Sequence, residues 1–274
     1  MRIRIRHETT YTYETPAKRA TQALRLVPRG YDGQFVIDWR LDIDRDCRLD
    51  QSIDAFGNTL HTFTVEGSID TLTIAAEGHI ETTDTNGIVS GQTERFPPVI
   101  FLRDTALTES DAAIRAFATE TAARVPGNDR IALMHALMAG IRERLDFEVD
   151  ATDTGTSAVE AFKLNSGVCQ DFAHIFIAAA RHLGVPARYV SGYMRRTDRD
   201  KQGAGHAWAE ALVDGLGWVG FDPANGICPT DAYVRVAVGL DYLGAAPVRG
   251  VRVGGSGENL DVRIVVEEAF RPGR

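Results

Sequence analysis

The chain has 274 residues, 44% of them hydrophobic and 25% charged, and a net charge of −8. This is the make-up of a globular protein with room for one large domain or two modest ones. It speaks against a general nucleic-acid binder, which shows a basic excess, and against a membrane span, which needs about eighteen apolar residues in a row.

The opening stretch MRIRIRHETTYTYE lacks the apolar core of a signal peptide, so a cytoplasmic protein is expected. Ile3 and Ile5 alternate with arginines, and Tyr11 and Tyr13 continue the rhythm, which predicts a first strand. Residues 35–39, 59–65 and 71–75 read as further short strands between turn signals. The pattern predicts a β-sandwich-like N-terminal domain over residues 1–100. His7, His61 and His79 are scattered through it and read as ordinary strand residues. Residues 84–98 are polar, end in Pro97 and Pro98, and read as a linker or long loop.

The texture then changes, and residues 101–274 read as a second domain. Helices are expected over 108–122 and 129–145, with Thr108 and Asn128 as candidate N-caps. Ile131, Met134, Leu137, Met138, Ile141 and Leu145 keep helical spacing and read as core. A third helix spans 167–183, closed by Gly184 and stopped by Pro186. A strand follows over 187–194, then a polar loop over 198–205. Strands 206–213 and 218–222 form a hairpin around 214–217. Residues 251–267 alternate again and predict one or two C-terminal strands.

Three cysteines, Cys47, Cys169 and Cys228, with no C-x-x-C or H-E-x-x-H spacing, argue against a disulfide framework and a structural zinc site. Cys169 lies in NSGVCQDFAH, in the first turn of the third predicted helix. Free N–H groups and the helix dipole favour an anion there, and the thiolate is the reactive form of cysteine. Gly167 lets a substrate approach the backbone, and the Cys169 N–H is placed to help hold an oxyanion. The stretch alone favours a packed core thiol over a nucleophile, since cysteine is among the most buried residue types.

Two further pieces change the balance. His206 opens a strand in GAGHAWAE, and Asp222 closes the neighbouring strand in GWVGFDPANG. An imidazole beside a thiol takes its proton, and a carboxylate on the other ring nitrogen fixes the ring. The geometry is demanding. His206 and Trp208 share one strand face, so Asp222 must lie opposite Trp208 rather than Ala209. An odd-length loop or a one-residue bulge achieves this, and a bulge is expected, with Gly215 and Gly217 available for positive φ.

The segments SGVCQDFAHIFIAAARHLGVPARYVSGY, GHAWAE and GWVGFDPANG resemble the transglutaminase-like superfamily, a papain-like thiol fold. The match resembles most its bacterial cysteine-protease branch, which carries an N-terminal β domain. The strong similarity covers about residues 145 to 245; VAVGLDYLGAAPVRGV, residues 236–251, adds a less specific one. The resemblance implies an α+β fold, with helices packed on an antiparallel sheet. It also implies Cys169 as nucleophile, His206 as general base and acid, and Asp222 as orienter. Papain-like enzymes place an oxyanion glutamine six residues before the cysteine, where this chain has Lys163, so the side-chain donor is unassigned and Gln170 is a candidate. His174 belongs to the family pattern and reads as a helix-face residue near the site. Asp171 reads as an acid complementing the helix dipole. Trp208 and Trp218 either wall the cleft or fill the core. Cys228 follows the Asp222 segment and is a loop thiol near the site or merely in the loop. Animal transglutaminases use calcium, but no EF-hand-like loop is present; Asp42, Asp44 and Asp46, and Asp198 and Asp200, read as solvated acids, with a calcium site as the alternative.

No cofactor and no metal is expected. The partner is a peptide or protein amide, with no nucleic acid and no membrane. Three functions compete: a thiol hydrolase of amide bonds, an acyltransferase that passes the acyl group to an amine, and a binding scaffold that has lost activity. An intact triad counts against the third.

Overall fold

The computed structural model describes residues 1–127 and 129–269. In chain order, the first half holds β1 (Arg2–Val27), β2 (Gln34–Ile43), β3 (Asp50–Ile53), β4 (Thr59–Thr82) and β5 (Ile88–Val89). A short 3-10 turn, Pro98–Leu102, leads into α1 (Ala112–Ala123) and α2 (Arg130–Arg144). Then come β6 (Asp146–Phe147), α3 (Ala158–Leu164), β7 (Ser166–Gly167), α4 (Cys169–His182), β8 (Ala187–Met194) and β9 (Lys201–Gln202). The chain continues with β10 (His206–Val213), β11 (Gly217–Phe221), β12 (Tyr233–Gly239), α5 (Tyr242–Ala245) and β13 (Val248–Glu268). This is the mixed α+β architecture expected. No helix among the described residues is long and apolar enough to cross a membrane.

The first sheet runs β2-β4-β1-β13-β9, with β3 also on β4. Its strands are far longer than the short ones expected. The segments 59–65 and 71–75 are parts of one strand, β4. The turn signals are absorbed as bends at one level of the sheet. There β1 shifts register between Thr12 and Arg19, β4 passes Gly67 at φ +113, and β13 passes Gly254 and Gly255 at φ +72 and +74. Bulges and positive-φ glycines bend strands without ending them. Residues on both sides of the bend, such as Leu24, Phe63, Leu72 and Ile74, share one core. The sandwich-like character therefore comes from a single sheet curling over its own apolar face.

One expectation is corrected by the topology. The C-terminal strand, assigned to the second domain, pairs antiparallel with β1 from Leu24–Val248 to Ile3–Glu268 and so lies inside the first sheet, between β1 and β9. The interior partner of β1 carries no local mark of where its mate lies in the chain. In return β5, from the predicted linker, joins the second sheet, whose order is β12-β8-β10-β11-β5.

That second sheet positions the site. The small inward residues Ala207, Ala209 and Ala211 of β10 let α4 lie close across it, packed through Phe172, Ile175 and Phe176. Helices α1, α2 and α3 complete that core with Ile114, Leu137, Ile141 and Phe162. The end of the first sheet packs against the second through Ile3, Ile5, Ile80, Tyr193 and Val234. Thr108 does not cap α1; it is buried and accepts from Arg181, and Asp111 caps instead by accepting from the N–H groups of Ala113 and Ile114. Asp129 caps α2, while Asn128 lies outside the described residues. Helix α3 was not expected; it starts from a reciprocal Ser157–Glu160 capping box.

Candidate active site

Cys169 is the first residue of α4, where backbone N–H groups have no partner within the helix. The helix start is pinned by Asp171, whose Oδ2 accepts from the Val168 N–H at 2.8 Å and from the Thr152 hydroxyl at 2.6 Å. Burial raises the Asp171 pKa against the lowering effect of those two donors. Gly167 serves this anchor rather than the approach of a substrate: a Cβ on it would meet Asp171 Oδ2 at 2.5 Å.

β10 and β11 pair Ala209 with Phe221 and Val213 with Gly217, which carries Asp222 to the level of Trp208. The alignment the triad needs is present, but the expected bulge is not. The three-residue connection 214–216 supplies the odd count, with Gly215 and Gly217 at φ +79 and +81 and the ladder regular throughout.

The His206 Nε2–H donates to Asp222 Oδ2 at 2.6 Å. With Nε2 engaged by Asp222, Nδ1 is the free ring nitrogen, and Cys169 lines the same cleft and interacts electrostatically with the imidazole. Burial pulls the His206 pKa down, but Asp222 and Cys169 outweigh it and the pKa rises to about 10. The arrangement therefore favours an imidazolium beside the thiol. Asp222 is fully buried. Burial works to raise its pKa, yet the donors from His206, Asn225 and Tyr233 hold it below the ordinary carboxylate value.

Two of those donors went unread in the sequence. Asn225 Nδ2 and the Tyr233 hydroxyl each donate to Asp222 Oδ2 at 2.7 Å. Asn225 lies in the same DPANG turn as Asp222, so a signal was present; Tyr233 opens β12, eleven residues on, and had none. Tyr189, on β8 opposite Ala209, was also missed. It lines the cleft with Cys169, and burial together with that thiol keeps its hydroxyl protonated.

Of the remaining candidates, Gln170 lines the cleft, with its amide 3.4 Å from the Thr154 carbonyl. His174 is buried away from it. Its Nε2 accepts from the Tyr242 N–H at 3.1 Å, and burial, helped by Arg181, lowers its pKa to about 3, so it is a neutral link between α4 and α5. Trp208 stacks on the His206 ring at 6.2 Å and supports it from below without walling the cleft. Trp218 is remote from the triad, under Arg188 at 3.9 Å. Cys228 packs beside Gly87, and burial raises its pKa. Asp42, Asp44 and Asp46 belong to no cluster of three or more metal-ligating side chains among the described residues.

The cleft at Cys169 and His206 has a volume of about 320 Å³ and lies between the two sheets. A thiol at a helix N-terminus, an imidazole on it and a carboxylate behind form the parts of a nucleophilic acyl-transfer site.

Residues 117–223, which contain Cys169, His206 and Asp222, match the transglutaminase-like superfamily, and residues 3–81 match the bacterial transglutaminase-like N-terminal region. An uncharacterized protein of Mycobacterium leprae is 31% identical over 280 residues, covering 97% of this chain and 98% of its own. One of Mycobacterium tuberculosis is 28% identical over 276 residues, covering 91% of this chain and 87% of its own. The solved structure of "a Putative Cysteine Protease from Cytophaga hutchinsonii" superposes with a TM-score of 0.78 at 22% identity, covering 99% of this chain and 93% of that one, and so shares the fold. The chain belongs to the transglutaminase-like superfamily.

Proposed function

We propose that the protein is a thiol-dependent amide-bond hydrolase that works through an acyl-enzyme on Cys169. The observation that carries this reading is the His206 imidazole held by Asp222 at 2.6 Å in the same cleft as the thiol at the start of α4.

In this reading the Cys169 thiolate attacks the carbonyl carbon, and the carbon–oxygen π electrons move to the oxygen. The Cys169 N–H, at the helix start, faces the charge that develops there. The tetrahedral species collapses, the carbon–nitrogen bond breaks, and the His206 imidazolium protonates the leaving amine. His206, now neutral, takes a proton from water, which attacks the thioester and releases the acid and the thiolate. Asp222 stays ionised throughout and holds the ring with Nδ1 toward sulfur.

A primary amine in place of water gives transfer by the same chemistry. Incubation with a peptide library, with and without a primary amine, read by mass, separates the outcomes. Hydrolysis predicts cleaved or deamidated products that are unchanged by the amine and absent with Cys169→Ala. Products dominated by amine adducts would instead make the protein a transferase. Peptide binding without turnover would make it a scaffold.

A further inference from the structure

We propose that the N-terminal sheet forms the specificity wall of the active-site cleft, and that the substrate group lodged beside Cys169 is uncharged, apolar and up to aromatic in size. The inference rests on the acyl-enzyme reading above.

The wall is a continuous patch of one sheet face. His7, Thr9 and Tyr11 alternate along β1 and all reach the cleft. In the register of β1 with β13, Thr9 sits opposite Val262 and Tyr11 opposite Leu260, and both partners also line the cleft. The two strands thus present one cross-strand surface to Cys169. The catalytic side faces it with Val168, Tyr189 and Tyr242.

Outside the catalytic pair, charge is excluded from this space. One residue in four of the chain is charged, yet none of the twenty that line the cleft is Lys, Arg, Asp or Glu. His7, the one titratable wall residue besides the tyrosines and the catalytic pair, is neutral. Burial lowers its pKa to about 4, and its ring nitrogens bond the Tyr193 hydroxyl at 2.8 Å and Thr9 at 3.1 Å. Glu258, the acid that acts on Tyr11, is paired with Arg252 at 3.0 Å. A charged side chain entering here would lose its hydration and find no counter-charge on the wall, the catalytic pair of Cys169 and His206 being engaged with each other and with Asp222. An apolar one gains by burial against Tyr11, Leu260 and Val262. The volume of about 320 Å³ is ample, since a dry apolar cavity of about 150 Å³ holds benzene.

Peptidyl chloromethyl ketones with Phe, Leu, Glu or Lys next to the ketone test this. Alkylation of Cys169 is followed by mass and compared with its alkylation by iodoacetamide, which is small and uncharged. The Phe and Leu probes are expected to react about 100-fold faster than the Glu and Lys probes. Leu260 is 52% exposed, so Leu260→Lys leaves the fold intact. With each rate taken relative to iodoacetamide on the same variant, Leu260→Lys is expected to raise the Glu-probe rate about tenfold and to lower the Phe-probe rate. Rates within about threefold across the four probes, or no response to Leu260→Lys, would overturn the proposal while leaving the reactive thiol standing. Iodoacetamide labelling of Cys169 no faster than that of Cys47 and Cys228 would remove the acyl-enzyme reading, and the proposal with it.

Discussion

Asp222 collects donors on both carboxylate oxygens. His206, Asn225 and Tyr233 reach Oδ2, while the N–H groups of Ala224 and Asn225 reach Oδ1 at 3.0 and 3.2 Å. A buried carboxylate so surrounded keeps its charge and cannot turn, so the imidazole it holds cannot turn either. Asp222→Asn brings an amide NH₂ into this ring of donors. Stability is expected to fall by about 1–3 kcal/mol, from donors left unpaired, and acylation by about 10²–10⁴-fold, because the imidazolium loses its partner. Denaturant titration and single-turnover rates measure the two effects. The pH dependence has a definite sign. Because folding raises the His206 pKa from 6.5 to about 10, its contribution to stability is complete below pH 6.5 and is lost as pH climbs toward 10. In Asp222→Asn this window narrows toward 6.5, which thermal melts across that range detect.

β8 and β10 have two differently built faces. One is the alanine-rich surface under α4. The other buries Glu210 between Arg188, at 2.6 Å, and Arg235, at 2.7 Å. Arg188 continues to Glu94 at 2.9 Å, and Arg235 to Gln92 at 2.9 Å, which ties the predicted linker to the sheet. Burial opposes the charge on Glu210, yet the two guanidiniums win and lower its pKa to about 2. Glu210→Gln leaves Arg235 without a carboxylate partner and Arg188 with Glu94 alone, and is expected to cost about 3–5 kcal/mol. The triad hydrogen bonds involve none of these groups, so cold single-turnover rates should change little; urea unfolding and those rates check the pair of outcomes. The wild-type contribution is present above pH 4.5 and is lost as pH falls toward 2. Elements of this kind were legible where their signals are local. The limits of β8 and β10 follow from the punctuation around them, Pro186 before β8 and Gly205 and Gly215 flanking β10, and the end of α4 from Gly184, which adopts φ +75. β12 was not, because Val234, Val236 and Val238 alternate with Arg235 and Ala237, which are buried too, and a strand covered on both faces shows no polar period.

At the scale of the molecule, three separated segments converge on one cleft while the two chain ends close one sheet. The first could be read in advance, since Cys169, His206 and Asp222 carry distinct chemistry in a fixed order. The second could not: β13 pairs with β1 across almost the whole chain, and alternation in each strand says only that a partner exists. That pairing brings Leu260 and Val262 to face Cys169, so the wall of the site depended on what the sequence left hidden. Three cysteines provide an internal control for the central claim, that Cys169 is a nucleophile prepared by His206 and Asp222. Burial raises the pKa of both Cys47 and Cys228, which disfavours their thiolates. The decisive measurement is the rate of iodoacetamide modification of each cysteine at about pH 6, resolved by peptide mass. Modification of Cys169 about 100-fold faster than either control, falling to their level in Asp222→Asn, is the predicted result; three equal rates in the wild-type protein would contradict it.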